Sequence, residues 1–312
     1  MNVHRNFRSA TRAGATSLAL VFLQMTTGCA HAKRVALDEP QRNQIGSART
    51  VASLSGQELG VSVVMSTGGA GFGLIGALVD SAVTNSRAKA AEAVAAPIRD
   101  ALVDYDAGAA LGGALKKELA PLAWLKKNTV DVRRVADTKE AVAELVKQSG
   151  TDVVVLVQTD HRLTPAFDAI VITAKVSVLP RAPTQAAGDE GSGPAPLYLN
   201  TISTAATLPG FVEARTTLEQ ASQLWADGRG RTARRALDGG MAELASMIAF
   251  DLAEHGPAGA SLYEAPPDAR QATVIGAYGN GTATGFVVRE ANGRAWVRLP
   301  TGELSAIGGL VP

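Results

Sequence analysis

The sequence predicts an α/β fold in which helices pack on a mixed, largely antiparallel sheet, with a small C-terminal β-rich unit. Residues 152–159 (DVVVLVQT) form an apolar run, which is typical of a central strand buried on both faces. Residues 167–179 alternate apolar and polar side chains as a strand does, and Thr164-Pro165 predicts an antiparallel turn before them. Residues 232–254 repeat apolar side chains at helical spacing, as on a buried helix face. An α+β sandwich is therefore the expected architecture.

The N-terminal stretch has the layout of a bacterial secretory signal. Three arginines and no acid precede an apolar core of about ten residues, and small residues then lead to Cys29. That core is well short of the ~20 residues that a membrane-spanning helix needs. Gly28-Cys29 resembles the lipobox of bacterial lipoproteins, although Thr26 stands where leucine is usual. The resemblance implies that acyl chains such as palmitate modify Cys29; an ordinary signal peptide with an incidental cysteine is the alternative.

Composition shifts divide the chain into five parts. Residues 1–28 are the expected signal peptide. Residues 29–57, which lack sustained periodicity, are expected to be a flexible lipidated tether, with a short strand or turn near residues 50–54 left open. Residues 58–256 are the expected α/β domain. A Gly-, Ala- and Pro-containing linker is predicted over 257–269, and four short strands form a β-rich unit over 270–312.

A glycine-rich segment follows the first predicted strand, residues 60–66. The order of strand, GxGxxG and helix is that of a dinucleotide-binding fingerprint. The second strand of such a unit is missing, because 88–100 has helical periodicity, so no cofactor is expected. Two interpretations stay open, close packing of small residues and a contact surface for membrane or a partner. The contact surface would comprise Gly71, Phe72, Gly73, Leu74, Ile75 and Gly76.

Helical character continues over residues 87–127, weakened in the middle by Gly112-Gly113. Residues 129–135 predict another strand, and Asp137 with the glutamate three positions later fits a capping box for a short helix. Residues 197–208 alternate like a further strand. A helix over residues 214–225 precedes the amphipathic one.

Polar pairs that resemble catalytic sites are better explained as surface features. Asp160-His161 follows the central strand, but no nucleophile or metal ligand set accompanies it, so His161 is expected on the surface. Asp104 and Asp106 fit a solvated helix end. Asn292-Gly293 predicts a tight hairpin between two C-terminal strands.

Composition excludes several classes of protein. Without the signal, 27 basic residues face 29 acidic ones, so no basic excess points to nucleic acid. Cys29 is the one cysteine of the 312 residues, which leaves no thiol for a disulfide or a thiolate metal site. The sequence has no metalloprotease, nucleophile-elbow or phosphate-loop motif. We therefore expect neither an enzyme nor a metal site.

The order of elements over about residues 60–254 resembles periplasmic lipoproteins with a compact α/β sandwich. These include the curli-secretion lipoprotein family, the lipoprotein activators of penicillin-binding proteins and the N-terminal domain of the Tol-system β-propeller protein. The resemblance rests on residues 152–159, on 167–179 and on the closing helix. The segment 68–80 also resembles that of a family of uncharacterised proteobacterial lipoproteins. The resemblance implies a role in docking to other envelope proteins.

The sequence thus predicts a non-enzymatic lipoprotein of the cell envelope. We expect it at the periplasmic face of the outer membrane, since Ala30 is not the aspartate that retains such proteins at the inner membrane. Its expected partners are membrane lipid, through Cys29, and other envelope proteins, with self-association as a further option. The alternatives are an accessory component of a secretion channel and, less favoured, a ligand-binding or enzymatic protein.

Overall fold

A computed structural model describes residues 34–63, 73–125, 127–181, 195–254, 268–275, 282–291 and 293–307, with the backbone alone for 73–85. The helices are α1 (Glu39–Gln44), α2 (Gly73–Ala101), α3 (Ala107–Leu119), α4 (Lys139–Gln148) and α5 (Leu218–Ala253). The strands are β1 (Ala48–Leu54), β2 (Gly60–Val61), β3 (Thr129–Val132), β4 (Val153–Leu163), β5 (Ala169–Pro180), β6 (Tyr198–Thr207), β7 (Gln271–Ile275), β8 (Thr282–Ala291), β9 (Arg294–Arg298) and β10 (Leu304–Ile307).

The strands of the described residues form one mixed sheet, which confirms the predicted fold class. Its order is β3-β1-β4-β5-β6-β10-β9-β8-β7, with β2 beside β4. The pairs β1–β3, β1–β4, β2–β4 and β6–β10 are parallel. The pairs β4–β5, β5–β6, β7–β8, β8–β9 and β9–β10 are antiparallel. The C-terminal strands therefore continue the main sheet through β10.

Helices cover both faces of the central strands. The apolar side chains predicted for one face of β5, from Ile170 to Val178 in alternation, lie in the main core with α2, α3 and α5. Leu145 and Val146 of α4 pack on the other face, against Val154 and Leu156 of β4. Because β4 contacts helices on both sides, its side chains are apolar on both, as the sequence indicated.

The tether predicted over residues 29–57 is corrected for its larger part, because the chain is built into the fold from Arg34 onward. Val35 forms a β-bridge with Leu199 of β6, and Asp38 caps α1. β1 lies inside the sheet between β3 and β4. The strand left open near residues 50–54 is therefore part of a longer one, and its polar Thr50 is buried and donates to Asn128 Oδ1 at 2.9 Å.

Three predicted boundaries also change. The strand expected over 60–66 is described only as β2, and its residues from 64 lie outside the described chain. The strand expected over 129–135 ends at Val132. The N-cap of α4 is Thr138, whose side chain accepts from the Ala141 backbone at 3.2 Å, and not Asp137. Asp137 instead bonds a neighbouring strand.

The predicted break between two final helices and the predicted hairpin are both present. A kink with left-handed backbone at Gly228, Arg229 and Gly230 divides α5. At the hairpin, the last residue of β8 pairs with Arg294, and Gly293 has a φ of 72°. Asn292 and most of the predicted linker lie outside the described residues.

A buried ion-pair network joins the end of α5 to both ends of the described chain. Asp251 of α5 accepts from Arg298 Nη1 of β9 at 2.5 Å and from Arg34 Nη2 at 3.2 Å. Asn200 Nδ2 donates to its other oxygen at 2.7 Å, and Tyr198 Oη bonds that oxygen as well. The side chains of Asp251 and Arg298 are fully buried.

A second ion pair joins the middle of α5 to the start of β9. Arg294 Nε donates to Glu243 Oε1 at 2.6 Å, and its Nη2 lies 2.6 Å from Glu243 Oε2. Thr204 of β6 and Trp296 of β9 also donate to this carboxylate. Arg289 stacks over the Trp296 ring at 4.6 Å, which extends the cluster to β8. The C-terminal strands are thus fixed to α5 by charge as well as by sheet pairing.

Asp251→Asn is expected to lower the free energy of unfolding by about 3–5 kcal/mol, because it leaves buried guanidinium groups short of a counter-charge. Burial alone would raise the pKa of Asp251, but Arg298 and Arg34 outweigh it and hold that pKa below its usual value. The stabilisation is therefore complete above the unfolded pKa of about 3.9 and is lost as pH falls through the lower folded pKa. Urea unfolding across pH measures this.

The matched control is Glu290→Gln, which removes a carboxylate from an exposed pair with Arg270. An exposed pair contributes roughly 0–1 kcal/mol. Equal losses in the two variants would contradict a special role for the buried pair.

Two adjacent glycines of α3 are expected to respond in opposite directions to alanine. A Cβ at Gly112 would overlap Cγ2 of Val132 on β3, whereas a Cβ at Gly113 would meet nothing within 4 Å. Gly113→Ala should stabilise the protein by about 0.5–1 kcal/mol through helix propensity. Gly112→Ala should destabilise it by about 1–3 kcal/mol through overpacking. Thermal unfolding of the two variants measures the difference, and the same sign for both would contradict the packing of α3 on β3.

Candidate functional site

Asp160 and His161 lie inside β4, not beyond its end, and they face opposite sides of the sheet. β4 continues to Leu163, where β2 pairs with it on one side and β5 on the other. Successive side chains of a strand point to opposite faces. His161 accordingly lines a cleft beside α2, and Asp160 lines a different cleft on the α4 side. A hydrogen-bonded Asp–His pair is therefore excluded at this position.

The first cleft, here called the His161 cleft, has a volume of about 420 Å³. His161 is only 2% exposed, so the expected surface histidine is corrected. The cause is that β4 extends beyond its predicted end at residue 159, so that the imidazole is covered by the residues that precede β2. Burial lowers the pKa of His161, against the raising effects of Asp160 and of a hydrogen bond with the Gln57 backbone. The imidazole is therefore held neutral.

Two other polar groups of the His161 cleft, Arg99 and Tyr105, are engaged in the fold. Arg99 Nε donates to the Leu59 carbonyl at 2.8 Å, and Arg99 also pairs with Glu92. Tyr105 Oη donates to Asp238 Oδ1 at 2.9 Å, and burial raises the pKa of Tyr105. The phenol therefore remains protonated and serves as a hydrogen-bond donor.

The second cleft, here called the Asp160 cleft, has a volume of about 500 Å³. Ser55 Oγ donates to Asp160 Oδ1 at 2.8 Å, and Arg162 Nε donates to Asp160 Oδ2 at 2.6 Å. The lining residues come from the ends of β1 and β4, the loop after β3 and the middle of β5. They are Ser53, Leu54, Ser55, Arg134, Val135, Ala136, Asp137, Gln158, Thr159, Asp160, Arg162 and Lys175.

A second carboxylate of this cleft belongs to Asp137. It accepts from Gln158 Nε2 at 3.1 Å, and Lys175 Nζ lies 3.9 Å away. Arg134 Nη2 donates to the Ser55 carbonyl at 3.2 Å. The Asp160 cleft thus combines three cations with two carboxylates, an arrangement suited to binding a charged group.

None of the residues that the sequence nominated for lipidation or for the contact surface has a described side chain. Cys29, Gly71 and Phe72 lie outside the described residues. Gly73, Leu74, Ile75 and Gly76 form the backbone of the first turn of α2, and their side chains are not described.

The acidic pair before α3 lies at helix ends, as predicted. Asp106 is the N-cap of α3 and accepts from the Ala109 backbone at 2.8 Å. Asp104 pairs with Arg234 of α5. Both acids therefore serve the fold.

Nowhere in the described residues do three or more His, Cys, Asp or Glu side chains gather as a metal site would require. Of the helices described, none is both long and apolar enough to cross a membrane.

No protein-family model and no curated protein sequence matches this chain. The residues and their geometry therefore carry the functional argument. The cations of the Asp160 cleft were missed in the sequence because they are distant from one another in the chain. The one local signal was the pair Arg133-Arg134 inside the strand predicted over residues 129–135.

The buried, neutral His161 predicts that stability falls with acidification. Its folded pKa lies below the unfolded value of about 6.5, so the unfolded state binds the extra proton first. The free energy of unfolding should therefore decrease as pH drops below about 6.5, until the folded imidazole also protonates. Urea unfolding at several pH values measures the slope. In His161→Gln that slope should be smaller, whereas an unchanged slope would contradict the buried position.

Proposed function

We propose that this protein is a non-enzymatic lipoprotein of the bacterial cell envelope. Acyl chains on Cys29 would anchor it at the periplasmic face of the outer membrane, where it would bind other envelope proteins. The observation that carries the proposal is the signal-like stretch that ends at Cys29, followed closely by a built-in chain. Arg34, five residues after Cys29, is fixed by ion pairs to Asp251 and Glu254.

The short stretch of chain between Cys29 and Arg34 would limit how far the folded body can move from the anchor. Five residues span at most about 17 Å when fully extended. Under the proposal, the face that contains Arg34 stays near the lipid headgroups. A pull on Cys29 would then reach the core directly through Arg34 and through the bridge between Val35 and Leu199. The anchor would thereby limit the orientation of the body and not only its location.

The polar groups of the described core support a binding role over a catalytic one. Asp160 and His161 are separated by the sheet. Glu243, Asp251 and Glu254 are engaged by arginines that hold the fold together. Such groups are occupied structurally and are poorly placed to transfer protons to a substrate.

The ends of the sheet are the surfaces best suited to a partner strand. Among the described pairings, β3 pairs only with β1 and β7 only with β8. Unpaired strand edges offer backbone donors and acceptors, which partner proteins use by adding a strand. Val132 of β3 is 45% exposed, which adds apolar surface at that edge.

Cys29→Ser is expected to move the protein from the membrane fraction to the soluble periplasmic fraction, because the acyl acceptor is lost. The matched control is Thr26→Leu, which restores the usual lipobox leucine and should keep the protein in the membrane. Fractionation, with mass spectrometry of the mature N-terminus, measures both. If Cys29→Ser stays with the membrane, or if the native N-terminus is not an acylated cysteine, the proposal fails.

A further inference from the structure

The Asp160 cleft lies where three parallel strands end. β1 runs parallel to both β3 and β4, so the carboxyl ends of the three strands lie at one edge of the sheet. The helices that connect them cover opposite faces, α2 and α3 on one and α4 on the other. In open α/β sheets, ligands bind in crevices outside the carboxyl ends of strands. The topology therefore leaves room for a ligand at this edge.

The charges in the cleft do not balance. Arg162 is paired with Asp160, whereas Lys175 lies 3.9 Å from Asp137 and keeps a side chain that is 45% exposed. Arg134 donates to a carbonyl, and no carboxylate in the described part of the chain pairs with it. One guanidinium charge is thus uncompensated, and the ammonium charge is held loosely.

Three polar groups beside the two proposed binding cations are already held in place. Asp160 fixes Arg162 at 2.6 Å and is itself fixed by Ser55 Oγ at 2.8 Å. Gln158 likewise holds Asp137 at 3.1 Å. Groups that are ordered before binding lose little entropy when a ligand arrives, which favours affinity.

We infer that the Asp160 cleft binds an oxyanion, namely the phosphate or carboxylate group of a small molecule. Arg134 provides the primary ion pair and Lys175 the second. A guanidinium matches the geometry of both anions with paired N–H donors. The volume of about 500 Å³ lies within the range of small-molecule sites. This inference goes beyond the proposed function and does not depend on Cys29.

The test is titration of the full chain, purified in detergent, with inorganic phosphate and separately with malonate at constant ionic strength. Amide NMR shifts are the readout. We expect saturable shifts at Ser55, Arg134 and Gln158. Arg134→Gln should weaken the affinity about 10-fold or more, as expected for loss of a charge-assisted pair. Arg270→Gln, which removes an exposed arginine elsewhere, should leave the affinity unchanged.

Each outcome decides the question. Saturable binding of either anion supports the site, and the preferred anion identifies whether phosphate or carboxylate is recognised. Shifts that do not saturate, that appear equally at Arg270, or that saturate with unchanged affinity in Arg134→Gln would overturn it. An unchanged melting temperature of Arg134→Gln shows that the fold is intact, and Lys175→Gln provides a second variant. Failure here would leave the membrane attachment of the protein unaffected.

Discussion

The pairing of α5 with β9 is the constraint on which the described fold depends. Glu243 and Asp251 are eight residues apart on the helix, a rise of about 12 Å, and Arg294 and Arg298 are four residues apart on the strand, about 13 Å. This match lets two carboxylates meet two guanidinium groups along one line of contact. Since removal of one partner would leave a buried charge, the helix and the C-terminal strands are held in a single arrangement.

The strands and helices that could be predicted are those whose burial is indicated by the hydrophobic pattern of their own residues. β4, β5 and the second half of α5 have runs or periodicities that only one structure satisfies. β1 was left open only as a short strand or turn near residues 50–54, because Thr50 and Ser53 interrupt its apolar pattern, and both form hydrogen bonds with residues about 80 positions away. The place of the C-terminal strands beside β6 likewise depends on Arg298 and on other distant contacts.

The candidate sites were harder to predict because they depend on where one strand ends. Asp160, His161 and Arg162 are polar, which is typical of a loop after an apolar strand. Pairing with β2 and β5 instead extends β4 across them, and alternation then distributes them between two clefts. Arg134 and Lys175 reach the same cleft from other strands. No local sequence pattern predicts that these two side chains lie close together, because the register of the sheet determines it.

Native-state hydrogen exchange tests most directly whether α5 and β9 make the C-terminal strands part of one cooperative core. The amides of Ala295, Trp296 and Val297 in β9 are compared with those of Val155 and Val157 in β4. The account predicts exchange from β9 through the same global unfolding, with the same free energy, as from β4. Exchange from β9 at a clearly lower free energy would show a separately unfolding unit and would contradict the account.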